Sequence, residues 1–392
     1  MLYVGFSMDR RKFLGLTAAA AVAASAQQKE ETAIASATRD ETPRVAIVLS
    51  SFTGGEDHDG TKYSGLADPQ PVTANLTAAQ IDAMVRKAIE LGVTPQGTLG
   101  DIIAEDEWVV IKPNIVACHG LGPEDKDGGA HHRYIKGTVT DLRVVQSLIA
   151  YLVEHKCGAR ITIAEGSGEW LPKERSKSPV DGWTTEWGGE FGGLSYRKMV
   201  DEFSKKHPGI QFDIVDLNFD GTVEMPAPAN PERTYHIPKT IQQCDRLISV
   251  CPLKTHTGTG ISAAMKNYIG IAPGSHYGFP KMALHKLGPL EQTIVDLYSI
   301  HPADYAIVGG CWGIGGKGPF YPGGVSVHHN LILAGASTVA VDAVAAAIMG
   351  FKPEEIKYFA IAERRGFGGS DTDLIWTRGN EIVQARRDFR NP

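Results

Sequence analysis

The stretch RLISVCPLKTHTGTGISAAMKNYIG, from Arg246 to Gly270, indicates the fold most directly. It opens with a short apolar run that predicts a buried β-strand ending at Pro252. A polar, glycine-punctuated loop follows, and then a short helix that carries Lys266 and Asn267. Strand, polar loop and helix in this order are typical of open α/β sheets, whose ligands bind outside the carboxyl ends of the strands. The stretch therefore predicts such a sheet with a site at its strand ends.

The polar side chains of this stretch predict the chemistry of that site. Lys254 and His256 come directly after the strand, and Lys266 and Asn267 follow in the short helix. Two lysines, a histidine and an amide near freed backbone N–H groups favour a pocket that receives an anion or holds a metal. The alternative interpretation is a solvated loop whose lysines keep the surface soluble.

Apolar runs elsewhere in the chain predict further buried strands that alternate with amphipathic helices. The predicted strands are RVAIVLS from Arg44, WVVIKPNIV from Trp108, RITIAEGSG from Arg160, QFDIVDLN from Gln211, YAIVGG from Tyr305, NLILAGAST from Asn330 and DLIWTRG, an edge strand, from Asp373. The predicted helices are residues 77–91, 140–157, 194–207, 287–300, 337–349 and 353–365. This alternation predicts an α/β fold, a doubly wound, mostly parallel sheet with helices on both faces, in one domain over residues 44–392.

The segments between these elements allow four further predictions. Thr140 is expected to cap the helix that follows it, and Met225 to Pro238 is expected to be an extended connection. The glycine-rich CWGIGGKGPFYPGG from Cys311 predicts a loop that could wrap an anion with backbone N–H groups. It lacks the spacing of a P-loop, so nucleotide binding is not inferred. The aromatic and glycine-rich insertion at about 169–193 predicts a lid or, equally, a subunit contact.

Other polar residues fall at predicted strand ends or on a buried helix. Lys112 and Asn114 end the strand of WVVIKPNIV, and Glu165 ends that of RITIAEGSG. A lysine at such a place is unfavourable to bury unless an anion meets it. Asp342 lies on an otherwise apolar helix, so we expect it to meet a lysine, a histidine or a backbone donor.

Composition excludes some classes of protein. The formal charge of -6 and the pI near 6.1 argue against a nucleic-acid binder. No two of the five cysteines have the C-x-x-C spacing, so the sequence argues against a self-contained iron–sulfur cluster.

The amino terminus predicts export. Met8 to Ala26 has a basic start, an apolar middle and a small-residue cleavage site, and Arg10-Arg11 resembles the twin-arginine (Tat) signal. We therefore expect a signal peptide over residues 1–26, a disordered spacer over 27–43, and a periplasmic or extracellular protein that the Tat machinery recognises. The alternative is an uncleaved membrane anchor, but the alanine-rich core of this segment is too short and too weakly apolar to favour it. We therefore expect no stable membrane span after the signal is cleaved.

Four blocks together resemble a known family. They are VVIKPNIV, TDLRVVQSLIAYLVEHKCGARITIAEGSG, CDRLISVCPLKTHTGTGISAAMKNYIG and LILAGASTVAVDAVAAAIMG, and they are similar to the conserved pieces of the domain-of-unknown-function 362 (DUF362) family. The polar positions that the resemblance implies are Lys112, Asn114, Glu165, Lys254, His256, Lys266, Asn267, His285 and Asp342. Some relatives are described as iron–sulfur proteins, which implies a link to redox chemistry and a redox partner. This chain lacks their cysteine motifs and has Gly309-Gly310 where an acidic residue before glycine is expected.

Three interpretations of these residues stay open. The first is an exported enzyme with a small anionic substrate or cofactor. In it, Lys254, His256, Glu165 and Lys112 act in catalysis, and Asn114, Lys266, Asn267 and Asp342 bind the cofactor. A divalent metal held by His256, His285 and a carboxylate fits the same set. The second interpretation is a non-catalytic protein that binds an anion or metal complex, and the third is a structural network of polar residues.

The signal generates the first testable prediction. Replacing Arg10 and Arg11 together by lysine should leave uncleaved precursor in the cytoplasm, because the export machinery reads the arginine pair. Cell fractionation and amino-terminal sequencing measure this, and the exported wild-type protein should begin after Ala26. Normal export of the double variant would contradict the prediction.

Overall fold

The computed structural model describes residues 42–57, 60–92, 98–116, 134–168, 183–184, 187, 189–279, 281–319 and 323–392. The strands of this part of the chain are β1 (Arg44–Leu49), β2 (Gly54–Glu56), β3 (Lys62–Ser64), β4 (Trp108–Lys112), β5 (Arg160–Glu165), β6 (Gln211–Asp216), β7 (Thr222–Ala227), β8 (Asn230–Pro238), β9 (Arg246–Cys251), β10 (Lys254–His256), β11 (Gly260–Ser262), β12 (Tyr305–Gly316), β13 (Gly324–Gly335) and β14 (Trp376–Gly379).

Helices separate most of these strands. The α-helices of the described part are α1 (Ala78–Gly92), α2 (Leu142–Glu154), α3 (Tyr196–Lys206), α4 (Lys239–Gln243), α5 (Gly274–Tyr277), α6 (Leu290–Ile300), α7 (Thr338–Ile348), α8 (Lys357–Arg364) and α9 (Ile382–Ala385). Short 3-10 helices cover Leu99–Asp101, Lys266–Ile271, Met282–Lys286, Pro353–Glu355 and Thr372–Leu374.

One large sheet dominates the fold. In the described residues its strand order is β14-β1-β13-β12-β9-β4-β5-β6, and the short strands β10 and β11 extend beside β12. Strands β12, β9, β4, β5 and β6 run parallel, whereas β13 is antiparallel to both of its neighbours. The sheet is therefore mostly parallel, as predicted, and β14 lies at its edge.

The core has two layers, one on each face of the sheet. In β1 the side chains of Val45 and Ile47 pack into one layer, while those of Ala46 and Val48 pack into the other. Helices α6, α7 and α8 cover the first face, and α1, α2 and α3 cover the second. This arrangement follows from the alternation of side chains along a strand, because both faces must then be covered to bury them. The α/β fold with helices on both faces is confirmed.

Local signals explain where the main helices begin. Thr77 and Gln80 form the predicted capping box of α1, with Gln80 Oε1 accepting from Thr77 N at 2.9 Å. The prediction that Thr140 caps α2 is wrong, because the side chain of Asp141 accepts from the N–H of Arg143 instead. The hydroxyl of Thr140 instead accepts from Asn114 N and donates to Val250 O.

Two connecting segments differ from their predictions. The first part of the glycine-rich stretch after Cys311 is a strand, because β12 continues to Gly316 and pairs with β13. Backbone N–H groups in this part already donate within the protein, as Ile314 N does to Leu253 O at 2.9 Å. The loop is therefore shorter than predicted, and residues 320–322 lie outside the described residues. The proline-rich stretch is extended as predicted, but β7 and β8 pair into an antiparallel hairpin.

Several predictions concern residues that the structure does not describe. The signal over residues 1–26 and nearly all of the spacer over 27–43 lie outside the described residues, as does most of the insertion at about 169–193. Within the described part, Trp183 and Trp187 are buried beside Tyr196. No helix in that part is long and apolar enough to cross a membrane. The predicted single domain stays a prediction.

The glycine pair in β12 generates a second testable prediction. Gly309 has φ of +128°, and a β-carbon added there would collide with the carbonyl oxygen of Leu331. Gly309→Ala should therefore lower the free energy of unfolding by about 2 kcal/mol or more, because the strained backbone and the collision add.

The matched control is Gly369→Ala. Gly369 is exposed, and the nearest atom to an added β-carbon is Glu363 Oε1 at 4.0 Å. Urea denaturation of both variants measures the difference. Equal stability of the two variants would contradict the strain argument.

Candidate functional site

Several of the predicted site residues lie at the switch point of the sheet. Strand β4 is followed in space by β5 and β6 on one side, and β9 and β12 lie on its other side. The chain leaves β4 toward α2 on one face, and it later reaches α6 on the opposite face after β9. In open α/β sheets the crevice opens where connections leave toward opposite faces. The carboxyl ends of β4 and β9 are such a place.

Lys112 and Glu165 form a buried ion pair at this edge. Lys112 Nζ donates to Glu165 Oε2, and neither side chain is more than 2% exposed. The same ammonium donates to Pro113 O and to Asn267 Oδ1, both at 3.0 Å. Burial lowers the pKa of Lys112, and the charge of Glu165 opposes that shift. The three donors of Lys112 are thus fully used.

Asn267 and Asn114 extend this pair into a network. Asn267 Oδ1 also accepts from Asn114 Nδ2 at 3.0 Å, and Asn267 Nδ2 donates to Lys112 O at 3.0 Å and to Ser249 Oγ at 3.1 Å. Asn114 Oδ1 in turn accepts from Lys254 Nζ. Four of the predicted site residues therefore meet Glu165 in one buried, hydrogen-bonded cluster, although they are far apart in sequence.

The backbone around the network is positioned by two further contacts. Thr140 accepts from Asn114 N and donates to Val250 O, both at 2.8 Å, and so links the segment after β4 to the end of β9. A β-carbon at Gly270 would lie 2.5 Å from Lys112 Nζ and 2.8 Å from Glu165 Oε2. Only glycine lets the 3-10 helix Lys266–Ile271 approach the ion pair so closely.

Lys254 lies between this network and a second group of cations. Its ammonium donates to Thr138 O at 2.8 Å as well as to Asn114. Burial, with a smaller contribution from the charge of Lys266, lowers the pKa of Lys254 to about 7. Lys254 is therefore a weakly basic, fully buried amine near neutral pH.

The second group, which we call the cation cluster, consists of Lys254, His256, Lys266 and His285. Lys266 is half-buried, and desolvation lowers its pKa to about 8. Burial and then the charges of Lys266 and Lys254 lower the pKa of His256 to about 2, and burial and the charge of Lys266 lower that of His285. No acidic group raises the pKa of Lys266, His256 or His285. Among the described residues, the charge of Glu165 raises the pKa of Lys254 only, and the other three members of the cluster have no compensating anion.

The tautomer of His256 follows from one hydrogen bond. Its Nδ1 accepts from the N–H of Gly258 at 3.1 Å. A neutral imidazole that accepts at Nδ1 carries its hydrogen on Nε2. His256 therefore presents one N–H donor to the cluster.

The predicted metal set is not assembled in the described part of the chain. No group of three or more histidine, cysteine, aspartate or glutamate side chains there has the geometry to hold a metal ion. His256 and His285 consequently have no carboxylate as third ligand within that part, and we assign no metal site to them. His119, His131 and His132 lie outside the described residues.

Asp342 is placed away from the cation cluster. Its carboxylate accepts from Ala264 N and Met265 N, each at 2.8 Å, which confirms the expected backbone donors. Burial raises its pKa to about 7, although these two hydrogen bonds oppose the shift. Asp342 thus positions the turn that leads to Lys266, and the structure gives it no contact with a cofactor pocket.

Two residues at the same edge were missed by sequence reasoning. Lys281 Nζ donates to Gly166 O at 2.7 Å and to Gly270 O at 3.1 Å, and burial lowers its pKa to about 7. Asn218 Nδ2 donates to Ser167 O at 3.1 Å, and its Oδ1 accepts from Gly274 N at 2.8 Å. Asn218 follows the predicted strand of QFDIVDLN, so its position at a strand end was the available signal. Lys281 lies in a segment without periodicity and gave none.

A separate cavity of about 150 Å³ lies beside the network. The segment 134–141 separates the two, since Thr138 O accepts from Lys254 while Gly137 and Val139 line the cavity. Arg143 lines this cavity, and its guanidinium already forms an ion pair with Asp141 at 2.6 Å. None of the sequence-predicted site residues is among the described residues that line it.

The buried ion pair generates a third testable prediction. Lys112→Met should lower the free energy of unfolding by about 3–5 kcal/mol, because it leaves the charge of Glu165 buried without its partner. Adding Glu165→Leu should recover part of this loss, since the double variant removes both charges. Urea denaturation measures both effects.

The control for this prediction is Lys62→Met. Its side chain is 82% exposed and lies 3.9 Å from Glu56, so the loss should stay within about 0.5 kcal/mol. Equal losses in Lys112→Met and Lys62→Met would show that the buried pair does not stabilise the fold.

Comparison with known proteins identifies the family. The profile described as "Domain of unknown function (DUF362)" matches residues 109–347, and no curated protein matches. The chain is similar at 12% identity to the lactate racemase apoprotein from Thermoanaerobacterium thermosaccharolyticum (TM-score 0.38), over 75% of this chain and 61% of that one. A Thermotoga maritima protein is similar at 12% identity (TM-score 0.29), over 64% and 54%. The family match covers more than half of the sequence, and the chain therefore belongs to the DUF362 family.

Proposed function

We propose that this protein binds a small anion, such as a phosphate or a carboxylate, in the cation cluster formed by Lys254, His256, Lys266 and His285. The observation that carries the proposal is the ammonium of Lys266. It is half-buried and makes no hydrogen bond or ion pair with any described residue. A desolvated cation without a partner is unfavourable, and a bound anion would remove that penalty.

The contrast with Lys112 supports this assignment. Lys112 has a carboxylate partner and two further acceptors, so no ligand is needed to stabilise its charge. The charge of Lys266 lowers the pKa of three neighbours, Lys254, His256 and His285. An anion would be attracted by the charged ammonium groups of Lys266 and Lys254, and the neutral imidazole of His256 would offer it an N–H donor. The position at the switch point favours the same conclusion.

The division of roles between the residues follows from these contacts. Lys266 and the Nε2–H of His256 would donate directly to the anion, and exposed His285 would contact it from the solvent side. Buried Lys254, whose ammonium donates to Asn114 and Thr138, would add positive charge on the protein side. The network of Lys112, Glu165, Asn114 and Asn267 then positions the cluster and does not contact the ligand.

Export completes the proposal. The twin-arginine signal supports action in the periplasm or outside the cell, where the anion would be encountered. The choice between an enzyme and a non-catalytic binding protein depends on whether a group in the cluster is reactive.

Ligand-induced stabilisation generates the fourth testable prediction. Phosphate at constant ionic strength should raise the melting temperature of the wild-type protein, because it binds the folded state only. Lys266→Met should abolish this rise while leaving the unliganded protein as stable as the wild type or more so, since it removes a desolvated charge. Differential scanning fluorimetry measures both.

Lys286→Met is the matched control, because it removes an exposed lysine from the same region and should keep the full response to phosphate. Sulfate binding, measured by calorimetry, should weaken as the pH rises above about 8, where free Lys266 loses its proton. An identical phosphate response in Lys266→Met and Lys286→Met would reject the anion site.

A further inference from the structure

The lysines at this edge of the sheet are not equivalent. Lys112 donates to three acceptors, and Lys254 and Lys281 donate to two each. Lys266 donates to none within the described part of the chain, and its residue is still partly exposed to solvent. Hydrogen bonds would hold a lysine nitrogen in place and occupy its hydrogens. Lys266 alone among these four is therefore both unrestrained and within reach of a ligand.

The surroundings of Lys266 favour its neutral amine. Burial lowers its pKa to about 8, and its charge in turn lowers the pKa of Lys254, His256 and His285. A lysine that is desolvated beside another cation is the arrangement in which the amine becomes a nucleophile near neutral pH. The cluster thus attracts anions, and a fraction of the Lys266 side chains in it carry a neutral amine with a free lone pair.

We propose that Lys266 is a covalent nucleophile that forms an imine with a small aldehyde or ketone carrying a carboxylate or phosphate group. The proposal rests on the anion site proposed above, since the anionic group would hold the carbonyl carbon beside the amine. It also defines the substrate class, because a ligand must then carry both groups. Pyruvate-like 2-oxo acids and small phosphorylated aldehydes have this chemistry.

The step balances without an added oxidant or reductant. The lone pair of the Lys266 nitrogen forms the C–N bond, and the electron pair of the carbonyl π bond moves to oxygen. The oxygen then leaves as water with the two hydrogens that the amine nitrogen carried. The C–O bond breaks as the C=N bond forms.

His256 is suited to polarise the carbonyl group in this step. Its Nδ1 accepts from the N–H of Gly258, so its Nε2–H can donate a hydrogen bond to the carbonyl oxygen. The imidazole stays neutral because its pKa is lowered to about 2, and the two hydrogens of the departing water come from the amine nitrogen. The charge of Lys266 lowers the pKa of His256, which places both side chains in the same cation cluster.

Borohydride trapping tests the proposal and is the fifth prediction. The full-length mature protein is incubated with pyruvate and sodium borohydride, which reduces an imine to a stable amine, and the adduct is located by peptide mass spectrometry. We expect one adduct per chain at Lys266, with about tenfold or more labelling than at exposed Lys286. Excess phosphate should block it, and acetone, which lacks the carboxylate, should label Lys266 much less.

Phosphate stabilisation and the borohydride adduct of the wild-type protein separate the two proposals. Lys266→Arg cannot form an imine, so it should lose the adduct. If phosphate stabilises the wild-type protein but Lys266 is labelled no more than Lys286, the nucleophile is rejected and the anion site stands. If phosphate does not stabilise the wild-type protein and no adduct forms at Lys266, both proposals fail.

Discussion

The buried hydrogen-bonded ion pair of Lys112 and Glu165 is the interaction on which the site depends. Two charges at the ends of adjacent strands are stable without water only if their remaining donors and acceptors are satisfied. Pro113 O and Asn267 Oδ1 satisfy the ammonium, and the N–H of Ile115 donates to the carboxylate at 3.2 Å. This requirement brings the 3-10 helix that begins at Lys266 back onto the strand ends.

The placement of Lys266 follows from that requirement. Asn267 is fixed inside the network, so the neighbouring Lys266 is held at its border, where it is half-buried. Asp342 holds the turn just before it through the N–H groups of Ala264 and Met265. A rigid, satisfied network therefore supports an unsatisfied cation, and pre-organised functional groups generally need such support.

The structure thus divides the polar residues between two of the interpretations that the sequence left open. Lys112, Glu165, Asn114 and Asn267 satisfy one another, as in a structural network. Lys266 has no such partner among the described residues, and with His256 and His285 it forms the anion site that we propose. The same segment of sequence carries both kinds of residue, which explains why one pattern suggested both roles. Removing a member of the network should affect stability first, whereas removing Lys266 should affect ligand response first.

The sequence by itself determined the main strands and helices of the large sheet, their burial and their order. Apolar runs and helical periodicity depend on neighbours in the chain, so they predicted the strands, the two-faced sheet, the capping box at Thr77 and the kind of donor that meets Asp342. It also placed Lys112 and Glu165 at strand ends. Only the tertiary structure decided which polar groups satisfy each other, because partners such as Lys112 and Asn267 are 155 positions apart. It likewise drew residues 311–316, the first part of the glycine-rich stretch, into β12, since pairing with β13 supplies hydrogen bonds that local propensity does not reveal.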